Sequence, residues 1–131
     1  GGTKHPINKK TIDNKDHKLK FVKKFPPELN PEIWSKMAKD LAKKMGIDIT
    51  DVDQFLITQI NINAIRETLN LLGVPKDKAF TVMHHYGYTG SACIPMAFHK
   101  AWEKGKIKEG DTLFFIGSGG GLAFAANAFI L

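Results

Sequence analysis

The clearest periodic pattern in the chain lies between residues 33 and 45. Asn30 and Pro31 precede it and predict the N-cap and the first position of a helix, and Gly46 follows it and predicts a left-handed C-cap. Apolar side chains recur in between at every third or fourth position, which predicts one buried helical face; they are Ile33, Trp34, Met37, Leu41, Ala42 and Met45.

Two further helices are predicted downstream. In the first, Asn61 predicts the N-cap, apolar residues at positions 65, 69 and 72 share one face, and Gly73 predicts the end. The second extends from about residue 91 to residue 103, and Gly105 ends it. Both have the length and the end signals of ordinary globular helices.

Short apolar runs between the helices predict β-strands. Residues 55–57 form a fully apolar run, which is typical of a buried strand, and residues 80–83, 112–116 and 122–131 predict three more. A weaker pattern at residues 19–22 predicts another short strand near the N-terminus. From residue 30 onward the sequence therefore alternates helices with strands.

This alternation predicts an α/β fold with a mixed sheet packed against helices. A glycine-rich loop at residues 117–121 joins the last two strands and is short enough for them to pair antiparallel. We divide the chain into an irregular basic N-terminal segment, residues 1–29, and a folded domain, residues 30–131. A length of 131 residues with 43% apolar content suits one globular domain.

The positive charge is concentrated in the first third of the chain. The net charge is +6, but residues 1–45 hold twelve lysines against five acidic residues, a balance of +7, and residues 46–131 have a balance of −1. Such a segment suits an anionic partner, either nucleic acid, a phosphorylated cofactor or an acidic protein. A solvated lysine face is an equally simple interpretation, because lysines that no arginine accompanies are weak evidence for a nucleic-acid surface.

Cysteine and histidine usage narrows the chemistry. Cys93 is the one cysteine, so we expect no internal disulfide and a reducing, cytoplasmic setting. Its place inside a predicted helix suggests a buried, inert residue. His84 and His85 are adjacent, so one is expected to be packed and the other exposed, and no metal site is predicted. No apolar run is long enough to predict a membrane span.

Polar or glycine-rich segments lie at residues 58–63, 84–90 and 117–121, where predicted strands end. Ligand sites in open α/β sheets gather at such ends, so the three segments together indicate a site better than any one alone. The glycine-rich segment by itself has two interpretations. It is either a tight hairpin between buried strands or a place where exposed backbone N–H groups receive a substrate oxygen.

Taken in order, these motifs resemble the C-terminal half of a ketoacyl-acyl carrier protein synthase III, a condensing enzyme of the thiolase fold. The family has a buried strand followed by His-Gln-Ala-Asn, and residues 55–61 read FLITQIN. The family's Gly-Asn-Thr-Ser-Ala-Ala-Ser-Ile-Pro corresponds to residues 87–95, GYTGSACIP. Residues 105–111 follow its Gly-Lys-Ile-Lys-x-Gly-Asp, and residues 119–131 follow its glycine triplet and last strand. The resemblance covers about residues 30–131.

The resemblance implies roles for several positions and marks departures from the family. The catalytic His falls on Thr58 and the catalytic Asn on Tyr88, while Gly120 matches the glycine whose N–H polarises the acyl carbonyl. Threonine and tyrosine can each donate a hydrogen bond, but threonine is not a base near neutral pH. The predicted substrate-binding residues are Gln59, Asn61, Asn63, Ser118 and Gly119.

Two of the predicted substrate-binding residues are departures as well. Asn63 stands where an arginine commonly follows the family's His-Gln-Ala-Asn motif, and Arg66 lies about one helical turn further along. Ser118 stands where the family has a bulky residue before the glycine triplet. An oxyanion-type site with altered donors is therefore the prediction.

The resemblance implies acyl transfer or carbon–carbon bond formation on acyl thioesters, in fatty acid or polyketide-type biosynthesis. In the family a cysteine from the N-terminal half takes the acyl group, and His and Asn then favour loss of carbon dioxide from a malonyl thioester. The acyl groups would arrive on coenzyme A or on acyl carrier protein, and no separate cofactor is expected. The nucleophile would lie outside these 131 residues, so this segment alone would be inactive.

We expect the chain to be the C-terminal portion of a longer enzyme, or to bind a companion chain, because the helix at residues 91–103 would otherwise expose an apolar patch. The complete protein would have the layered αβαβα arrangement and would form a homodimer. Two alternatives remain open. One is a catalytically inactive half that acts as a scaffold or regulator, which the replaced His and Asn favour. The other is a nucleic-acid-binding module, which only the lysines of residues 1–45 support.

Overall fold

The computed structural model describes residues 3–18 and 24–131, so the strand predicted at residues 19–22 lies outside the described part. The described residues form five α-helices and three β-strands, and the predicted α/β class is confirmed. The helices are α1 (Lys9–Asp13), α2 (Leu29–Met45), α3 (Ile62–Leu72), α4 (Met83–Tyr86) and α5 (Cys93–Glu103), and the strands are β1 (Gln54–Ile57), β2 (Thr112–Gly119) and β3 (Ala123–Ile130). None of the helices among these residues is long and apolar enough to cross a membrane.

The strands form one mixed sheet in the order β1–β2–β3. β1 runs parallel to β2, and β2 pairs antiparallel with β3, so the predicted pairing of the last two strands is confirmed. β2 extends beyond its predicted end at residue 116, because the ladder to β3 continues until Gly119 pairs with Ala123. Residues 120–122 alone form the turn.

Helices α2 and α3 cover one face of the sheet. Trp34 of α2, Phe55 of β1 and Phe114 of β2 are fully buried there. The rings of Phe55 and Phe114 meet edge to face, with their centroids 5.7 Å apart. Ile65 and Leu69 of α3 complete this core. Each helix therefore buries the apolar side that its sequence pattern predicts.

Helix α5 covers part of the other face. Its small residues Ala97 and Ala101 are fully buried and pack in one cluster with Leu56 of β1 and Leu113 of β2. The apolar surface that this helix is predicted to expose is found at Trp102, which is 49% exposed, and not at its small residues. Without long side chains the helix approaches the sheet closely, so its small-residue side becomes its buried side. The large apolar groups exposed on this face are Trp102 and Phe129.

The ends of α3 and the C-terminal end of α2 follow their sequence signals. Asn61 caps α3, because its Oδ1 accepts hydrogen bonds from the N–H groups of Asn63 and Ala64 at 2.9 and 3.4 Å. Gly46 and Gly73 end α2 and α3 in the left-handed conformation, with φ of 71° and 72°. These positions require glycine because a Cβ disfavours positive φ.

The first turn of α2 begins earlier than predicted. The helix starts at Leu29 with Glu28 as its N-cap, so the prediction that Asn30 caps it and Pro31 opens it is wrong. The N–H of Leu29 donates to the carbonyl of Pro26 at 3.2 Å. This turn brings the chain into helical geometry before Pro31 is reached, and the proline then lies in the first turn, where its missing N–H costs nothing.

The prediction of a strand at residues 80–83 is also wrong, because residues 80–82 are irregular and α4 begins at Met83. Val82 is buried, as the apolar pattern predicts. However, the backbone of this segment bonds to the side-chain amide of Gln59 rather than to a neighbouring strand. A short apolar run predicts burial, and here a single buried side chain satisfies the backbone without a ladder.

Candidate functional site

A hollow of about 380 Å³ opens where β1 and β2 end, beside the first turn of α5. All three predicted junction segments reach it: Thr58 comes from the first, Tyr88 from the second, and Ser118 and Gly119 from the third. Cys93, the first residue of α5, also lines it. Among the residues that the structure describes, the lining includes no charged side chain, so any charge that forms there must be stabilised by hydrogen-bond donors.

Thr58 is held in place by β2. Its N–H donates to the carbonyl of Ile116 at 3.0 Å, and its Oγ1 accepts the N–H of Ser118 at 2.9 Å. In a regular parallel ladder the latter N–H would reach the backbone carbonyl of Thr58, so the hydroxyl replaces one rung. This bond uses an oxygen lone pair and leaves the O–H hydrogen available as a donor. The side chain is only 3% exposed, and the donor is therefore almost fully desolvated.

Gln59 has a structural position instead of facing the hollow. Its side chain is 1% exposed. Its Nε2 donates to the carbonyls of Ile57 and Phe80 at 2.8 and 3.4 Å, and its Oε1 accepts the N–H of Val82 at 2.8 Å. Both ends of the amide are thus occupied by backbone groups. Gln59 ties the segment before α4 to the end of β1, and no periodic pattern in the sequence signals this role.

Tyr88 reaches the hollow from a turn between two glycines. Gly87 and Gly90 have φ of 67° and 61°, values that residues with a Cβ rarely adopt. The turn leads directly into a single 3-10 turn, Gly90–Ala92, and then into α5. The glycine pair in the GYTG sequence therefore positions the tyrosine, whose side chain remains about half exposed.

A second void, an apolar cleft of about 270 Å³, adjoins the hollow. Gly120 lines this cleft and not the hollow, whereas Tyr88, Ser118 and Gly119 line both. The side chains around the cleft are mostly apolar and several are about half exposed; they include Phe25, Ile60 and Leu122. The structure therefore places Thr58 and Gly120 in two adjoining voids instead of one.

Asn61 and Asn63 lie elsewhere. Together with Glu28, Glu32 and Glu67 they line a separate hollow of about 380 Å³ between the first turn of α2 and α3. Asn61 Oδ1 is occupied in capping α3. The structure thus brings Ser118 and Gly119 to the side chains of Thr58 and Tyr88, but not Asn61, Asn63 or Gln59.

The cysteine and the paired histidines fit the site in different ways. Cys93 is 3% exposed, as predicted for a buried residue, and its Sγ accepts the N–H of Gln59 at 3.5 Å. His84 and His85 are both exposed. The prediction that one of them is packed is wrong, because it assumed a strand, whereas both lie in the single turn of α4. Within residues 3–18 and 24–131 no group of three His, Cys, Asp or Glu side chains is placed to hold a metal ion.

The resolved pKa shifts of α5 lie in its last turn, at the opposite end of the helix from Cys93. The hydrogen bond between Lys100 Nζ and Glu103 Oε2, 2.5 Å long, raises the pKa of Lys100 and lowers that of Glu103. His99 also contacts Glu103, at 3.2 Å. These residues form an exposed charge cluster that takes no part in the hollow.

A mixed sheet with helices on both faces, and a neutral hollow where its parallel strands end, define the class of protein. The chain has the architecture of one half of a thiolase-type layered fold. Residues 41–130 match the family described as 3-oxoacyl-[acyl-carrier-protein (ACP)] synthase III C terminal, and the chain belongs to this family. The resemblance drawn from the motifs is thus confirmed.

Similar proteins agree with this assignment. A beta-ketoacyl-[acyl-carrier-protein] synthase III of Aliarcobacter butzleri is 31% identical over 98% of this chain. The solved 3-oxoacyl-[acyl-carrier-protein] synthase III of Aquifex aeolicus matches 77% of the chain with a TM-score of 0.75 and 30% identity. The corresponding enzyme of Thermus thermophilus matches 80% with a TM-score of 0.77 and 27% identity. The chain covers 39% of the Aliarcobacter relative and 33% of each solved chain.

Proposed function

We propose that the complete protein is an acyltransferase of the ketoacyl-acyl carrier protein synthase III type, acting on acyl thioesters in fatty acid or polyketide-type biosynthesis. The observation that carries this proposal is one neutral hollow lined by both Thr58 and Tyr88, beside a glycine-rich turn. Family membership and the names of the relatives support the same reaction class. Coenzyme A or acyl carrier protein would bring the substrates, and no other cofactor is needed.

The first step would be acyl transfer to a cysteine in the other half of the protein. The thiolate attacks the thioester carbonyl, the bond between the carbonyl carbon and the carrier sulfur breaks, and the carrier leaves as a thiol after taking up a proton. The acyl group stays on the cysteine. The N–H of Gly120 would donate to the acyl oxygen while negative charge develops there.

The second step would be condensation with a malonyl thioester. Loss of carbon dioxide leaves the electron pair of the broken carbon–carbon bond on an enolate, whose carbon attacks the acyl-cysteine carbonyl and releases the thiolate. The hydroxyls of Thr58 and Tyr88 would donate to the enolate oxygen in place of His and Asn. In a hollow without charged side chains such donors have a large effect, because losing one typically slows a reaction about 100- to 1,000-fold.

The proposed substrate contacts are narrower than those that the sequence predicts. Ser118 and Gly119 line both voids, so they remain proposed substrate contacts. Gln59 is assigned to holding the segment that leads to Tyr88, and Asn61 to capping α3. The apolar cleft next to the hollow would receive the linker that carries the thioester. The lysine-rich first third would attract either carrier, since both are anionic.

The face of the sheet that α5 covers only in part is proposed to pack against the other half of the complete fold. Trp102 of α5 and Phe129 of β3 are about half exposed there, and the chain has only about two fifths of the length of the relatives it matches. Packing against the other half, on the same chain or a companion chain, would bury these rings. A homodimer of the complete protein is proposed with it.

A labelling experiment tests the enzymatic proposal. The complete protein is incubated with acyl-coenzyme A and acyl-acyl carrier protein of several chain lengths, and intact and peptide masses are measured. We expect one acyl group on a cysteine outside these 131 residues, and no label after that cysteine is replaced by alanine. No label with any chain length on either carrier would contradict the proposal.

The second candidate is a catalytically inactive half that scaffolds or regulates an active partner. It is favoured by the lining of the hollow, which holds neither an imidazole nor a carboxylate within residues 3–18 and 24–131. The double substitution Thr58→His with Tyr88→Asn separates the two candidates. If the native protein condenses thioesters and the double variant loses activity, the site is a specialised one. If only the double variant is active, the native protein is the inactive form.

A further inference from the structure

A third void, which we call the distal pocket, lies at the C-terminal end of α5. Its volume is about 400 Å³, and small-molecule sites typically have about 300–1,000 Å³. Its lining comes from residues 80–82 and 84–86 and from Lys100, Glu103 and Lys104 at the end of α5. The hollow with Thr58 adjoins the first turn of the same helix instead, and no described residue lines both voids. Since α5 has eleven residues, its two ends are about 16 Å apart.

The carboxylate of the distal pocket is already paired. Within the described part of the chain, Glu103 is the one acidic side chain of the lining. Its Oε2 accepts a hydrogen bond from Lys100 Nζ at 2.5 Å, and its Oε1 lies 3.2 Å from Nε2 of His99. The hydrogen bond raises the pKa of Lys100 and lowers that of Glu103, so both groups are charged at neutral pH. Their charges offset each other.

The carbonyl groups at the end of α5 are paired as well. The carbonyls of residues 100–102 accept the N–H groups of residues 104–106 at distances of 2.9 to 3.2 Å. Unpaired carbonyls at a helix end would favour a cation there and repel an anion. Because backbone groups satisfy these three carbonyls, the side chain of Lys104 is not needed to cap the helix.

The side chains that remain in the distal pocket are hydrogen-bond donors. The ammonium of Lys104 lies over the ring of Phe80, 5.8 Å from its centre, and forms no ion pair with a described residue. His84 and His85 are exposed, with ring centres 4.1 Å apart, and neither ring is hydrogen-bonded within residues 3–18 and 24–131. A neutral imidazole has one N–H donor. The pocket therefore offers an ammonium and two imidazole N–H groups without partners of their own.

We propose that the distal pocket binds a small phosphomonoester, whose phosphate oxygens accept hydrogen bonds from Lys104, His84 and His85. A phosphate group has three strong acceptor oxygens, one for each of these side chains, whereas a carboxylate has two. The ammonium provides a charge-assisted hydrogen bond, which is the strong kind. The half-exposed ring of Tyr86 also lines the pocket and suits the flat body of an aromatic ester. The phosphate belongs either to a separate metabolite or to coenzyme A.

Calorimetric titration of the complete protein with phenyl phosphate tests the site. We expect one molecule to bind per chain, more tightly than benzoate, and we expect no binding of phenol, which lacks the anionic group. Lys104→Met should weaken the binding of phenyl phosphate about tenfold, because one charge-assisted hydrogen bond is lost. His84→Ala combined with His85→Ala should weaken it by a similar factor. Far-ultraviolet circular dichroism checks that the variants, whose substituted residues are exposed, are folded.

Matched controls remove the same chemical groups elsewhere. Lys106→Met, two residues beyond Lys104, and His17→Ala, near the N-terminus, lie outside the lining and should bind phenyl phosphate as the native protein does. Competition with coenzyme A then identifies the source of the phosphate. Displacement of phenyl phosphate assigns the pocket to a phosphate of coenzyme A, and binding that coenzyme A leaves unchanged assigns it to a separate phosphomonoester.

Three results would overturn the proposal. They are a native protein that does not bind phenyl phosphate, benzoate or phenol that binds as tightly as phenyl phosphate, and full affinity in both the Lys104 variant and the double histidine variant. A loss for Lys106→Met as large as that for Lys104→Met would also overturn it, because binding would then follow net charge and not the pocket. None of these measurements depends on acyl-cysteine formation, so this proposal and the proposed function fail separately.

Discussion

The two faces of the sheet are closed in different ways. On the face covered by α2 and α3, large side chains such as Trp34 and Phe114 are fully buried, and Asn61 and Gly73 satisfy the ends of α3. On the face covered by α5, the contact is made by small residues such as Ala97, and the sheet beyond the helix is left partly open. The hollow with Thr58 opens beside this helix, at the ends of the strands.

The difference separates what stabilises the chain from what gives it a site. Large side chains that interlock fill space, so the α2–α3 face contributes most of the dense core and tolerates little change. Small residues bring a helix close to the sheet but leave the neighbouring surface uncovered. An uncovered surface with half-exposed aromatic rings suits contact with another part of the protein. Substitutions on the two faces should therefore have different consequences.

The largest effect on stability is expected from a matched pair of phenylalanines. Phe114 meets Phe55 on the closed face, and Phe129 meets Phe115 on the open face, both edge to face. Phe114→Ala should lower the free energy of unfolding by about 3–5 kcal/mol. Phe129→Ala should lower that of the 131-residue chain by about 1 kcal/mol, because its ring is half exposed.

Urea unfolding of the 131-residue chain and of the complete protein measures both changes. If the other half of the fold packs on Phe129, its substitution should cost clearly more in the complete protein. Equal losses for the two phenylalanines in the short chain would show that the faces do not differ in the way described.

The next effect concerns activity at the open end of the sheet. Thr58→Val keeps the shape of the side chain but removes the hydroxyl that accepts the N–H of Ser118. We expect kcat for condensation by the complete protein to fall about 100-fold, since one oxyanion donor is lost, and stability to fall by about 1 kcal/mol. Thr112→Val, at the start of β2 and away from the hollow, is the control. An unchanged kcat for Thr58→Val would exclude the hydroxyl as a donor.

Gln59 tests how the open face is held. Gln59→Met removes an amide that satisfies two carbonyls and the N–H of Val82 in a buried position. The free energy of unfolding should fall by about 1–3 kcal/mol, and hydrogen exchange at the Val82 amide should accelerate. Asn70→Met on the exposed side of α3 serves as the comparison. Unaltered exchange at Val82 would mean that the segment before α4 is held by its side-chain packing alone.

A smaller effect separates capping from substrate binding at the first turn of α3. Asn61→Ala should destabilise the chain by about 1 kcal/mol through loss of the N-cap, whereas Asn63→Ala should change stability by less than about 0.5 kcal/mol. Neither should change kcat/KM of the complete protein, since both line a hollow apart from Thr58. A fall in kcat/KM for Asn63→Ala with unchanged stability would instead show that Asn63 takes part in substrate binding.

The smallest effect is the pH dependence of the charge cluster on α5. The hydrogen bond between Lys100 and Glu103 lowers the pKa of Glu103 and raises that of Lys100, with His99 and Tyr86 as weaker neighbours. The Glu103 contribution is present above the unfolded-state pKa and is lost as pH falls through the folded-state pKa. The Lys100 contribution is present below the unfolded-state pKa and is lost as pH rises through the folded-state pKa.

Carboxyl chemical shifts in a pH titration report the Glu103 side of this pair. Lys100→Met should raise the pKa of Glu103 towards its ordinary value, while Lys39→Met on α2 should not. A Glu103 pKa that Lys100→Met does not move would show that the pair is broken in solution.

Local signals in the sequence were sufficient for much of the fold. Asn61 and Gly73 predict the ends of α3 because capping depends on a few neighbouring backbone groups. The ordered motifs also led to the family, and they predict that Thr58 and Tyr88 stand in the places of its His and Asn. The apolar run at residues 80–83 led to a wrong prediction of a strand. An apolar pattern predicts that a segment is buried, but it does not show which group forms hydrogen bonds with the backbone of that segment.

By itself, the sequence determined the three long helices α2, α3 and α5, most of their ends, the α/β class and the family, but not the short helices α1 and α4. Each of the features that it determined depends on residues close together along the chain. Only the tertiary structure decided that Gln59 binds the segment before α4, that Asn61 and Asn63 lie apart from Thr58, and that Tyr88 and Ser118 line the same hollow as Thr58. The physical reason is distance along the chain: side chains 20 to 60 residues apart meet only once strand register and helix packing are set.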